Sequence, residues 1–170
     1  SCGERIKSLL PKTKLIILLR NPVERAISHY FHVQRHGFEE LPINDALAQE
    51  VSRLESAKRH KNYKEQSFRL YSYQERGLYL AQIKRYQALF NEDQLLILSS
   101  DELFQKPKET LKQVFNFLEI NDNYLVPDLK SQNVGNNKEK VSKETYLQLE
   151  EYFGQANKEL FEHIKKHYPW

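Results

Sequence analysis

The chain has no methionine and a single cysteine among its 170 residues. An intact translation product starts with methionine, so the expectation is a processed or excised piece with Ser1 at a cleaved end. The lone Cys2 excludes an internal disulfide and a cysteine-based zinc site, and it points to a reducing compartment. Glycine is scarce: Gly3, Gly37, Gly77, Gly135 and Gly154 are all there are, and none falls in a Gly-x-x-x-x-Gly-Lys pattern. A phosphate loop of that kind is therefore excluded from these residues. No apolar run approaches the ~20 residues that span a bilayer, and no signal peptide is visible. Charge of one sign is also lacking. The 26 basic and 23 acidic side chains leave a formal net charge of +3, mixed along the sequence. That argues against a dedicated nucleic-acid binder and suits a local anionic ligand. The length fits one domain, residues 1–170, with a single hydrophobic core.

What is there is organised around Lys14 to Tyr30. Leu15 to Leu19 is an unbroken, branched apolar run flanked by Lys14 and Arg20, which predicts a strand buried on both faces and hence a parallel sheet. Asn21-Pro22 follows, a helix-capping residue and then a proline whose missing N–H costs nothing in a first turn. A helix is thus predicted to start at the carboxyl end of a buried strand. Val23, Ala26, Ile27, Tyr30 and Phe31 recur at helical spacing and are expected to face the sheet. Asn21, Arg25, Ser28 and His32 share another face. In an open α/β sheet the crevice beyond the strand ends binds ligands, and free N–H groups there favour an anion. Arg20 and Ser28 are the candidate ligands; the plainer alternative is a surface arginine and a helix serine with no ligand.

This strand ending in Arg20, followed by Asn21-Pro22, Arg25 and Ser28, resembles the 3′-phosphate-binding motif of sulfotransferases that use 3′-phosphoadenosine 5′-phosphosulfate. The flanks are similar to the bacterial and heparan-sulfate-type branch: Leu10-Pro11, the segment Arg76-Gly77-Leu78-Tyr79, and the block Gln94 to Leu118. The resemblance covers most of the chain. It implies an α/β fold, a three-layer parallel sheet flanked by helices like that of P-loop NTPases, amino-terminally truncated. It makes Arg20 and Ser28 the ligands of the nucleotide's 3′-phosphate. It implies sulfuryl transfer to a hydroxyl or amine of a small-molecule, saccharide or lipid acceptor, with no metal. The loop for the 5′-phosphosulfate and the catalytic base are then expected upstream, so the isolated piece is expected to be inactive. The implied location is the bacterial cytoplasm, or the Golgi lumen for a eukaryotic protein.

Beyond the motif, Gly37 marks a break, and Ile43, Leu47, Val51 and Leu54 predict one helix over Asn44 to Ala57. Lys58 to Glu75 is polar, with Phe68, Tyr71 and Tyr73 interspersed. Those aromatics either line an acceptor cleft, as the resemblance implies, or anchor a long loop by packing. Gly77 is predicted to open a helix with Tyr79, Ile83, Tyr86, Leu89 and Phe90 on its core side. Asn91 to Gln94 turns into a second buried strand, Leu95 to Leu98, completing a parallel crossover. Ser99-Ser100-Asp101-Glu102 begins the next helix; the alternative is a Mg²⁺ site of a nucleotide kinase. Lys108 to Leu118 predicts a further amphipathic helix. In Asn121 to Val141, the order Gly135, Lys138, Lys140 is similar to the family's late loop that closes over the nucleotide, where basic residues neutralise phosphate charge. The alternative is a solvated charged loop. Ser142 is predicted to cap a last helix, interrupted near Gly154.

His29, His32 and His36 fall near one helical face and are weighed as zinc ligands, but no acidic or cysteine partner lies close in sequence. His29 equally has the chance to donate to a bound phosphate. Ser28-His29 are neighbours on a helix and make no hydrolase dyad. A non-catalytic α/β module that binds a phosphorylated ligand or a partner stands as the reading from a different class.

Overall fold

A computed structural model describes residues 2–121 and 141–170. In chain order its elements are α1 (Cys2–Leu9), β1 (Leu15–Leu19), α2 (Pro22–Arg35), α3 (Ile43–Ala48), α4 (Glu50–Arg59), α5 (Gln66–Tyr71), a 3-10 turn (Glu75–Gly77), α6 (Tyr79–Gln87), a second 3-10 turn (Glu92–Gln94), β2 (Leu95–Ser99), α7 (Ser100–Gln105), α8 (Pro107–Leu118) and α9 (Lys143–Ile164). The chain divides into two compact units, Ser1–Asn21 with Tyr79–Val134, and Pro22–Leu78 with Gly135–Trp170. No helix among the described residues is long and apolar enough to cross a membrane.

The first unit holds the sheet. β1 and β2 pair in parallel, in register from Leu15 opposite Leu95 to Leu19 opposite Ser99. The strand, the turn before it and the crossover are as the apolar runs predict. Burial on both faces of β1 is not. Leu19 is buried, whereas Ile16 and Leu18 are 42% and 49% exposed. Alternate side chains of a strand point to opposite faces, and an all-apolar run says nothing about which face is covered. Gln94 ties the strand ends together: its Nε2 donates to the carbonyls of Pro11 at 2.9 Å and Thr13 at 3.0 Å, while Oε1 accepts from Lys7 Nζ at 3.2 Å. At the far end of β2, Ser99 Oγ accepts from the Asp101 N–H at 3.1 Å, and Glu102 reaches back to the Ser99 N–H at 3.3 Å. Glu102 is thereby a helix cap.

The second unit has a helical core. Val23, Ala26, Ile27, Tyr30, Phe31 and Val33 of α2 pack with Ala46 and Leu47 of α3, Tyr73, and Leu149 and Phe153 of α9. The stripe on α2 is buried as the spacing predicts, and within this unit its partners come from α3, α9 and the turn at Tyr73. The helix predicted over Asn44 to Ala57 breaks at Gln49 into α3 and α4. Val51, predicted inside, is 79% exposed, and Glu50 is buried instead, in step with Leu47, Leu54 and Ala57. α9 runs unbroken through Gly154 and starts where Ser142 Oγ accepts from the Thr145 N–H at 3.2 Å. Thr145 Oγ1 then donates to Asn44 Oδ1 at 2.7 Å, joining α9 to α3. Trp170 is held against Phe161 and Tyr168, with ring centroids 5.2 and 5.3 Å away.

Candidate functional site

Arg20 follows the last residue of β1 and is exposed. Its carbonyl accepts a hydrogen bond from the Tyr79 hydroxyl at 2.9 Å. Pro22 begins α2 directly after Asn21, as the sequence predicts, and Ser28 lies on that helix with an exposed side chain. Arg20 belongs to the first unit and Ser28 to the second. Lys138 and Lys140 lie outside the described residues, as does Gly135.

His29, next to Ser28, turns inward. Its ring meets Tyr73 edge-on at 5.2 Å. Burial holds its imidazole down to a pKa of about 4, helped by the positive charges of Arg25 and Arg76; the nearby backbone carbonyls of Ser72 and Arg69 oppose this without prevailing. His29 is therefore neutral near pH 7. Arg25, one turn earlier on α2, donates through Nη2 to the Tyr73 carbonyl and to the Ser72 carbonyl at 3.4 Å. The Arg76 guanidinium lies over the Phe68 ring at 5.6 Å, and burial together with Arg69 holds its pKa below the usual value. Positive charge thus gathers around the α2 turn that carries Ser28 and His29. Of the three aromatics in this stretch, Tyr73 packs on His29, Phe68 meets the Tyr63 ring at 5.0 Å, and Tyr71 lies under the Arg53 guanidinium at 4.4 Å.

A second polar centre supports this one. Buried Glu39 accepts from the Tyr73 hydroxyl at 2.7 Å and from Arg53 Nη1 at 2.5 Å. Burial alone would raise its pKa; the hydrogen bonds from Arg53 and Tyr73 outweigh it and hold the carboxyl below its ordinary value. Buried Glu50 accepts from the N–H groups of Gln74 at 2.7 Å and Glu75 at 2.8 Å, clamping the 3-10 turn. Desolvation still pushes its pKa up. Sequence reading missed Glu39, Glu50 and Arg53, and no spacing signal would have paired them. His29 packs on Tyr73, whereas the His32 and His36 rings lie 4.5 Å apart, with His36 Nδ1 2.8 Å from the His32 carbonyl oxygen. Among the described residues no group of three or more His, Cys, Asp or Glu is placed to hold a metal.

A parallel strand pair with helices before, between and after its strands in the chain defines an α/β protein. The sulfotransferase domain model matches residues 5–167, and the chain belongs to that family. It is 30% identical over 117 residues to the human bifunctional heparan sulfate N-deacetylase/N-sulfotransferase 2, and 32% identical over 120 residues to the Xenopus laevis bifunctional heparan sulfate N-deacetylase/N-sulfotransferase 1. These alignments take in 66% and 68% of the chain, and 12% of each relative. A solved sulfotransferase from Alicyclobacillus acidocaldarius is similar with a TM-score of 0.77 and 27% identity, over 98% of this chain and 60% of that one.

Proposed function

We propose that the chain takes part in sulfuryl transfer from 3′-phosphoadenosine 5′-phosphosulfate to a hydroxyl or amine of a saccharide, and that Arg20 and Ser28 hold the donor's 3′-phosphate. Family membership supports the reaction class. The observation that carries the site is an exposed arginine closing β1, followed within one helix by an exposed serine. A guanidinium offers paired N–H donors to phosphate oxygens, and a hydroxyl adds one more hydrogen bond. The acceptor oxygen or nitrogen attacks sulfur in line as the bond from sulfur to the phosphate oxygen breaks; adenosine 3′,5′-bisphosphate leaves, and the acceptor's proton passes to a general base. Positioning and charge stabilisation are the protein's main contributions, as in phosphoryl transfer.

A saccharide acceptor is supported by the names of the heparan sulfate relatives. Lys138 and Lys140 are proposed to cover the nucleotide. Residues 1–170 are proposed as part of one sulfotransferase domain, located in the cytoplasm of a bacterium or, for a eukaryotic protein, in the Golgi lumen. Thermal unfolding with a ligand panel tests the reading. Adenosine 3′,5′-bisphosphate is expected to raise the midpoint more than 5′-AMP does, by mass action on the native state. A larger shift with ATP and Mg²⁺ would overturn it in favour of a kinase.

A further inference from the structure

We infer that Tyr79 is a positioning residue for the donor site, acting through the backbone of Arg20. The inference rests on the proposed role of Arg20. The phenol oxygen lies 2.9 Å from the Arg20 carbonyl oxygen, 59 positions away in sequence. That carbonyl belongs to the peptide plane joining Arg20 to Asn21, so its orientation sets ψ of Arg20. Asn21 precedes proline and is confined to extended backbone on its own account. With the plane fixed on one side and Asn21 restricted on the other, the stem of the exposed Arg20 side chain starts from a defined direction. Binding phosphate orders both the backbone and the side chain of the arginine, and a backbone already anchored removes the first of these costs.

Tyr79 is well placed to hold still. It is the first residue of α6, whose Ile83 is buried. Two residues earlier, inside the second unit, Gly77 approaches Pro22 so closely that a Cβ on it would lie 3.0 Å from Pro22 Cβ. The segment Gly77-Leu78-Tyr79 therefore touches the residues on both sides of Asn21, each contact within its own unit. This gives the Arg76-Gly77-Leu78-Tyr79 segment a purpose that its sequence alone does not reveal.

The test is a double-mutant cycle on Tyr79→Phe and Arg20→Ala, read by calorimetric titration with adenosine 3′,5′-bisphosphate and by thermal unfolding. Tyr79→Phe keeps the ring and removes one neutral hydrogen bond. The expected loss of bisphosphate affinity is about threefold to tenfold, with an unfolding midpoint close to that of the parent chain. In the Arg20→Ala background the same substitution is expected to cost nothing more. Additive losses, or full affinity in Tyr79→Phe while Arg20→Ala is weak, would overturn the positioning role and leave Arg20 as a ligand. Full affinity in Arg20→Ala would instead overturn the reading of Arg20 itself, and the inference with it.

Discussion

The hydroxyl of Tyr73 donates to the carboxylate of Glu39 across 2.7 Å inside the second unit, joining residues 34 positions apart. Arg53 neutralises the same carboxylate, and its guanidinium lies 4.4 Å from the Tyr71 ring centroid. Tyr73 also packs on His29 and offers its carbonyl to Arg25. One buried tyrosine thus links the acidic centre to the α2 turn that carries Ser28. Tyr73→Phe keeps the ring and deletes the donor to a buried charge. We expect it to lower the free energy of unfolding by about 1–3 kcal/mol in urea titration, with little change in the slope.

The depressed pKa of His29 makes stability depend on pH in a defined window. The folded protein binds the proton at about pH 4, and the unfolded chain at its ordinary value of 6.5. Between these values the unfolded state carries more protons, so the contribution of His29 is complete above 6.5 and is lost as pH falls toward 4. Glu50, with a raised pKa, works in the opposite sense: ionising it in the fold costs stability as pH rises through the ordinary carboxylate range. Thermal midpoints measured across pH 4 to 7 are expected to fall with acid in the parent chain. His29→Gln, which cannot titrate there, is expected to show a flatter profile over that window.

Two glycines give opposite outcomes on the same substitution. A Cβ on Gly77 would lie 2.7 Å from Phe153 Cε1 and 3.0 Å from Pro22 Cβ, with core atoms on both sides. Gly77→Ala is expected to destabilise by about 1–3 kcal/mol through overpacking. Gly154 sits in the middle of α9 with open space where its Cβ would be. Gly154→Ala is expected to stabilise by about 0.5–1 kcal/mol, because glycine loses the most backbone freedom in a helix. Chemical denaturation of the two variants side by side checks both.

Much of the frame was legible because it is written in local chemistry. The run Leu15 to Leu19, the Asn21-Pro22 start of α2, the Ser142 cap and the strand at Leu95 each depend on neighbours in sequence. Three things were not legible, each for a physical reason. Ile16 and Leu18 are as apolar as Leu19, so the pattern carries no sign of an open face. Val51 and Glu50 both fit a helical period with Leu47 and Leu54, and residue type favours the valine; the buried place goes to Glu50 because its carboxylate caps the N–H groups of Gln74 and Glu75. The pairings of Glu39 with Tyr73 and of Glu50 with the 3-10 turn are long-range polar contacts, to which hydrophobic periodicity is blind. At the candidate site, residue type and spacing nominate Arg20 and Ser28, whereas the hydrogen bond from Tyr79 to the Arg20 carbonyl exists only in three dimensions.

The central claim is that Arg20 and Ser28 hold a 3′-phosphate, and calorimetric titration with adenosine 3′,5′-bisphosphate beside 5′-AMP tests it most directly. The account predicts that the bisphosphate binds selectively, and that Arg20→Ala and Ser28→Ala each weaken it by about tenfold or more, the loss of one charge-assisted hydrogen bond. Equal affinity for the two nucleotides, or bisphosphate binding that neither substitution weakens, would contradict it.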